Sequence, residues 1–152
     1  GFYMLNGKEL FDNHTLVDHL VPHCESNEIY RGILAGKSTG VFNGKVFVHR
    51  DAQKTNGYQS NNNILLSDNA TMNSKPELEI YADDVRCSHG STTGQLDEDA
   101  VFYLRARGLD EFGATALLLT AFASDVLNSI SDESLRETLE AKIQNKLKEM
   151  RA

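Results

Sequence analysis

The sequence predicts a mainly β fold that ends in α-helices, with a parallel β-helix followed by a small helical domain as its architecture. Two observations carry the division. Up to Gly94 the chain alternates short runs of β-forming residues with Asn, Gly and Asp turns, the pattern of strands joined by tight connections. Beyond Gly94 it is rich in Ala, Leu, Glu and Lys, with apolar residues at helical spacing. A third observation narrows the β part. Val46-x-Val48 before Asp51-Ala52, Ile64-x-Leu66 before Asn69-Ala70 and Leu78-x-Ile80 before Asp83-Asp84-Val85 share one layout: two same-face apolar residues, a polar turn, a small apolar residue. Such repetition suits coils that bury their inward residues against the coils above and below. A β-sandwich gives the same local signals and is the competing architecture. Residues 1–94 are thus read as the solenoid core and 95–152 as the helical domain.

Composition bounds the function. With 152 residues, 40% of them hydrophobic, the chain can bury one ordinary core. Its net charge of -7 lacks the basic clusters that binding nucleic acid or an anionic membrane requires, so neither is an expected partner. No apolar run approaches the roughly 20 residues of a membrane-spanning helix. The first residues lack the basic-then-apolar pattern of a secretory leader, so the expected location is the cytoplasm. Two cysteines, Cys24 and Cys87, are too few for a disulfide framework and are read as free thiols.

In chain order, the segment from Phe2 to Leu5 is apolar with no partner in view, and the sequence reads as beginning in the middle of something longer. Leu16 to Val21 has β character and Pro22 stops it. His14, His19, His23 and Cys24 lie close together in sequence, but their spacing matches neither a zinc pattern nor one face of a strand, so they are read as surface or turn residues. Gly36-Lys37-Ser38-Thr39 imitates the end of a phosphate-binding loop. Arg31 stands where that loop needs glycine and no helical period follows, which argues against ATP binding here. Gly40 to Val48 reads instead as a strand-turn-strand stretch around Asn43-Gly44. The Asn-rich run from Asn56 to Asn63 reads as a solvated turn, with stacked ladders the alternative that a β-helix permits.

Three helices follow. Asp97 caps the first, with Glu98 and Asp99 at its positive end and Arg105 and Arg107 before the stop at Gly108. Asp110 caps the second, whose Phe112, Ala116, Leu119, Ala123, Val126 and Ile130 form one face, widened by Leu117, Leu118 and Phe122. Ser131 is the expected cap of the third, with Ile130 and Leu135 as its staple and Leu135, Leu139, Ile143, Leu147 and Met150 as its stripe.

The candidate site is Cys87-Ser88-His89. On a strand, residues two apart share a face, so a thiol and an imidazole stand side by side. Both are ligands that iron and iron-sulfur clusters accept. Two ligands cannot close a four-ligand site, so any metal role predicts a half-site completed by another chain; a packing role for the pair is the plainer reading. Asp83 and Asp84 raise a third possibility, acid/base catalysis on carbohydrate, but neighbours on a strand face opposite ways, which places them poorly for joint catalysis.

Five segments carry a family resemblance: AQKT at Ala52–Thr55, NNILLSD at Asn62–Asp68, PELEI at Pro76–Ile80, DDVRCSHG at Asp83–Gly90 and GQLDEDAVFYLRARGL at Gly94–Leu109. Together they resemble the C-terminal core of the SufB/SufD family of iron-sulfur cluster assembly proteins. Cys87-Ser88-His89 and His23-Cys24-Glu25-Ser26 are similar to its SufD side. The resemblance implies a right-handed parallel β-helix flanked by helical domains, and a non-catalytic scaffold with no stably bound cofactor. It implies a SufB-like partner through the β-helix, and a transient iron-sulfur cluster shared with that partner at Cys87 and His89, with His89 the stronger ligand. It implies a SufC-like ABC ATPase on the helices, for which Arg105, Arg107, Gly108, Leu109 and Phe112 are the expected contacts. It also implies further coils ahead of Gly1, which leaves a strand stack able to pair with another copy.

Overall fold

The computed structural model describes residues 1–150, so the last two residues of the expected helical region lie outside it. Strands β1 (Phe2–Leu5), β2 (Leu10–His19), β3 (Glu25–Leu34), β4 (Thr39–Val48), β5 (Asn56–Leu65), β6 (Thr71–Ile80) and β7 (Arg86–Gly94) precede helices α1 (Glu98–Ala106), α2 (Glu111–Leu127) and α3 (Glu133–Glu149). Strands consecutive in the chain alternate between two sheets, ordered β1-β3-β5-β7 and β2-β4-β6, and every pairing is parallel. That is a β-solenoid of about three turns, not a sandwich, whose hairpins would pair antiparallel.

Each coil is two strands and two corners. Leu10 pairs with Thr39 and Thr39 with Thr71, so the coil takes 29 and then 32 residues. The corners need left-handed backbone, which Gly7 (φ 59°), His23 (φ 61°), Gly36 (φ 65°) and Lys54 (φ 60°) supply. Small residues fill the corners: Ala35, Ala52, Ala70 and Ala82 are all buried. The repetition visible in the sequence is therefore real but of mixed origin. Val46 and Val48 lie one coil below Leu78 and Ile80, whereas Ile64 belongs to the opposite sheet.

Three sequence expectations are corrected. Gly40–Val48 is one unbroken strand, β4, because Gly44 is a packing glycine and not a turn glycine: a Cβ there would run into the Phe42 ring and the Gln59 amide. The Asn56–Asn63 run is not a solvated turn but strand β5, with Asn61 (0% exposed) and Asn63 (3%) turned inward. The cap of α3 is Asp132, whose carboxylate accepts from the Leu135 amide; Ser131 sits one residue too early, and Leu135 is left half exposed. Asp97 and Asp110 cap α1 and α2 as expected.

Two apolar clusters lie inside the coils. Tyr3, Leu5, Leu34 and Ala70 fill one end of the cross-section, and Val46, Val48, Ala52 and Ala82 fill the other. A third lies outside the solenoid, where α2 and α3 cover the outer face of the four-stranded sheet: Ile33 packs with Leu119, Ala123, Leu127, Ile143 and Leu147, joined by Phe2, Met4 and Ile64. Arg31 pins this contact. Its guanidinium reaches Asp125 of α2 at 3.3 Å and Ser60 Oγ of β5 at 2.9 Å and lies over the Phe122 ring.

Leu119→Ala, at a side chain 1% exposed, is expected to lower unfolding stability by about 2–5 kcal/mol. Leu117→Ala, on the same helix but 51% exposed, is expected to cost less than about 1 kcal/mol. Urea titrations of the two variants measure the difference, and equal losses would contradict the packing of α2 on the sheet.

Candidate functional site

The last coil is open. Strand β7 is the final strand of its sheet, bonded to β5 on one side and to nothing on the other among the described residues. Parallel register then dictates what stands at the opening. Cys87 lies over Gly57, His89 over Gln59, Ser91 over Asn61 and Thr93 over Asn63, and those four β5 residues all face the interior. Side chains that would be core in a continuing stack are thus presented at its end.

Cys87 and His89 share this inward face but not its surroundings. Cys87 is half buried and packs on the apolar cluster of Val46, Val48, Ala52 and Ala82. The thiol leans over Gly57, where Cys87 Sγ, Ser26 Oγ and His19 Nε2 come within 3.3, 3.5 and 3.6 Å of the point a Cβ would occupy. His89 is exposed. Both cysteines are free thiols. Among the described residues no group of three or more His, Cys, Asp or Glu is arranged to hold a metal, so a metal at Cys87 and His89 would need ligands from elsewhere.

Beneath the opening, the middle of the cross-section is polar. Tyr3 Oη donates to Asn63 Oδ1 at 2.5 Å, Asn63 Nδ2 donates to Asn61 Oδ1, and Ser74 Oγ reaches the same Asn61 oxygen at 3.2 Å. Ser91 Oγ continues the chain to Ser74 Oγ at 2.8 Å. One residue pair along, Gln59 Nε2 donates to Glu28 Oε2 at 2.6 Å. Burial pushes the Tyr3 hydroxyl above its ordinary range, so it stays a donor. Neither Gln59 nor Glu28 is singled out by the sequence reading. Only the period-two alternation of β5, read as a strand, would have turned Gln59 inward.

The histidine group of the N-terminal coil is dispersed. His14 points outward and meets Asp12 at 2.9 Å; His23 forms a corner; Cys24 Sγ donates to the Val21 carbonyl at 3.2 Å. His19 differs from the surface residue expected. It is 4% exposed, and its Nε2 lies 2.9 Å from Ser26 Oγ. Gly36–Thr39 forms the corner between β3 and β4, with Ser38 Oγ spent on the Ala35 carbonyl and no helix after it. Asp83 and Asp84 are exposed in the bend between β6 and β7, off any strand.

At the helical end, Arg105 pairs with Glu111 at 3.6 Å, Arg107 lies over the Tyr103 ring at 4.5 Å, and Gly108 ends α1 at φ 99°. Leu109 is exposed and Phe112 half buried. Phe102 (72% exposed) and Tyr103 flank these residues and make an aromatic surface that the sequence reading passed over.

The chain is a parallel β-solenoid of two sheets, one face clad by helices, with a thiol and an imidazole on the inward face of its last strand. Residues 1–122 match the family described as SUF system FeS cluster assembly, SufBD core domain. The iron-sulfur cluster assembly protein SufD of Escherichia coli is 40% identical over 91% of this chain and 33% of its own length. An iron-sulfur cluster assembly SufBD family protein of Synechocystis is 44% identical over 90% of this chain and 30% of its own length. A chloroplastic protein of Arabidopsis thaliana is 39% identical over 90% of this chain and 29% of its own length. The chain belongs to the SufBD family of iron-sulfur cluster assembly proteins and spans about a third of the length of these relatives. No helix among the described residues is long and apolar enough to cross a membrane.

Burial holds the His19 imidazole below its ordinary value of 6.5, against a smaller opposing pull from Asp18. Below that value the unfolded chain takes up a proton that the folded chain resists, so stability falls as pH drops through about 6.5 and levels off beneath the folded value. Urea midpoints recorded between about pH 7.5 and 5.5 are expected to decline in wild type and to decline less in His19→Gln. Parallel declines in the two proteins would place the pH dependence elsewhere.

Proposed function

We propose that this chain is the scaffold end of a SufD-like subunit in an ATP-dependent assembly complex. In this reading the open coil docks against a SufB-like subunit, and Cys87 and His89 supply half of the ligands to a transient iron-sulfur cluster. The helical segment holds a SufC-like ABC ATPase. Iron and sulfide are cargo, no residue of this chain is catalytic, and ATP hydrolysis belongs to the partner. The observation that carries the reading is the exposure of His89 on the inward face of an unpaired terminal strand, where a second solenoid end-on would cover it. His89 offers a neutral ring nitrogen to iron, and Cys87 offers a thiolate or assists sulfur transfer.

One observation favours a second reading, a structural adaptor with no ligand role: the Cys87 thiol is seated over Gly57 beside an apolar cluster. The surface around Phe102, Tyr103, Arg105, Arg107 and Leu109 serves either reading as the ATPase contact, since exposed aromatics beside Arg are typical anchors of protein interfaces.

The full-length parent, co-expressed with its partner subunits, separates the two. His89→Ala is expected to cut iron-sulfur absorbance of the intact complex about 10–100-fold, with Cys87→Ser lowering it less. Normal absorbance in both variants would leave the adaptor. Phe102→Ala combined with Arg105→Glu is expected to weaken capture of the ATPase at least about tenfold, read by co-purification or calorimetry. Undiminished capture would move that contact to another face.

A further inference from the structure

Directly under His89 the interior holds an acceptor with nothing to accept. Gln59 is the ladder partner of His89, on the same inward face, at the roughly 4.8 Å separation of neighbouring strands. Its amide nitrogen donates to Glu28 Oε2 at 2.6 Å. A carboxylate only accepts, so this bond fixes the orientation of the amide: nitrogen toward Glu28, oxygen away from it. That oxygen, Gln59 Oε1, is closed off from solvent and has no protein partner. Such groups are uncommon in folded proteins and ask for an explanation.

The surroundings narrow the explanation. On the facing sheet, Gly44 abuts the Gln59 amide and brings no side chain, and its ladder partner one coil up is Pro76, which has no N–H. Asn61 Nδ2 on the same strand, and Thr15 Oγ1 and Asn13 Nδ2 on β2, are the buried side-chain donors without a partner among the described residues. An amide oxygen has two lone pairs, so a bond from any one of them still leaves room for a second donor. On the open side the next inward side chain is the imidazole of His89.

We propose that Gln59, anchored by Glu28, is a positioning residue for His89: Oε1 accepts an N–H of the neutral imidazole, and the other ring nitrogen keeps its lone pair directed out of the coil. The column Glu28–Gln59–His89 then runs up the stack to the opening, and a half-buried carboxylate two strands down sets which nitrogen is offered. Histidines that bind metals commonly donate their second nitrogen to such an acceptor. The purpose of the contact rests on the reading of His89 as an iron ligand; the hydrogen bond itself needs no iron.

The test is therefore made on the full-length parent without iron. Two-bond 15N–1H correlations of labelled histidine, recorded well above the imidazole range and assigned with His89→Ala, report the tautomer of His89. A single neutral tautomer is expected in wild type and a mixture close to that of free histidine in Gln59→Leu, or in Gln59→Met should leucine prevent folding. The double variant Glu28→Gln with Gln59→Glu exchanges donor and acceptor and is expected to restore the single tautomer. A mixture in wild type, an unchanged tautomer in a folded Gln59 variant, or no recovery in the exchange variant would each overturn the proposal. In the complex, Gln59→Leu is expected to lower cluster loading about tenfold. Clusters that survive His89→Ala, alongside the expected tautomer shifts, would sink the ligand reading and leave the hydrogen bond standing.

Discussion

In-register parallel stacking is the constraint from which the rest of this structure follows. Once Leu10 pairs with Thr39 and Thr39 with Thr71, every inward residue rests on the residue one coil earlier. Identity then matters by column. A glycine at 57 lets the side chains at 26 and 87 lean toward each other, and a glycine at 44 makes room for Gln59 and the Phe42 ring. The corner alanines obey the same rule, since a larger side chain at any of them would push two coils apart.

The interior is not uniformly apolar. Between the cluster around Leu34 and the cluster around Val46 runs a band of Asn, Gln, Ser and Thr, with Glu28 at its edge. Buried amides are tolerated where each finds partners, because an unpaired buried polar group costs about 1–3 kcal/mol. The Tyr3–Asn63–Asn61–Ser74–Ser91 chain meets much of that demand across three coils, though it leaves Asn61 Nδ2 without a partner. Pairing fails toward both ends of the stack: at Gln59 Oε1 and Asn61 Nδ2 on β5, and at Asn13 Nδ2 and Thr15 Oγ1 on β2.

The helices act on the outside of the same stack. Strand residues alternate faces, so the sequence neighbours of inward Tyr30 and Gly32 are outward Arg31 and Ile33, and these bind α2. One sheet therefore carries both the interior column that ends at His89 and the outer face that seats the helices.

Much of this was legible in the sequence. The switch to helical period after Gly94, the caps Asp97 and Asp110 and the placement of Cys87 and His89 on one face all follow from local rules, because each depends on residues a few positions apart. The Asn-rich strand, the continuous β4 and the roles of His19, Glu28 and Gln59 did not. Composition marks Asn56–Asn63 as a loop and Asn43-Gly44 as a turn, and only partners about 30 residues away make them strands. What the sequence by itself determined is the division between strands and helices at Gly94 and the pair of residues that share a face of the last strand. Tertiary structure alone decided which side chains share a column, because stacking register is set by contacts between coils that no local pattern encodes.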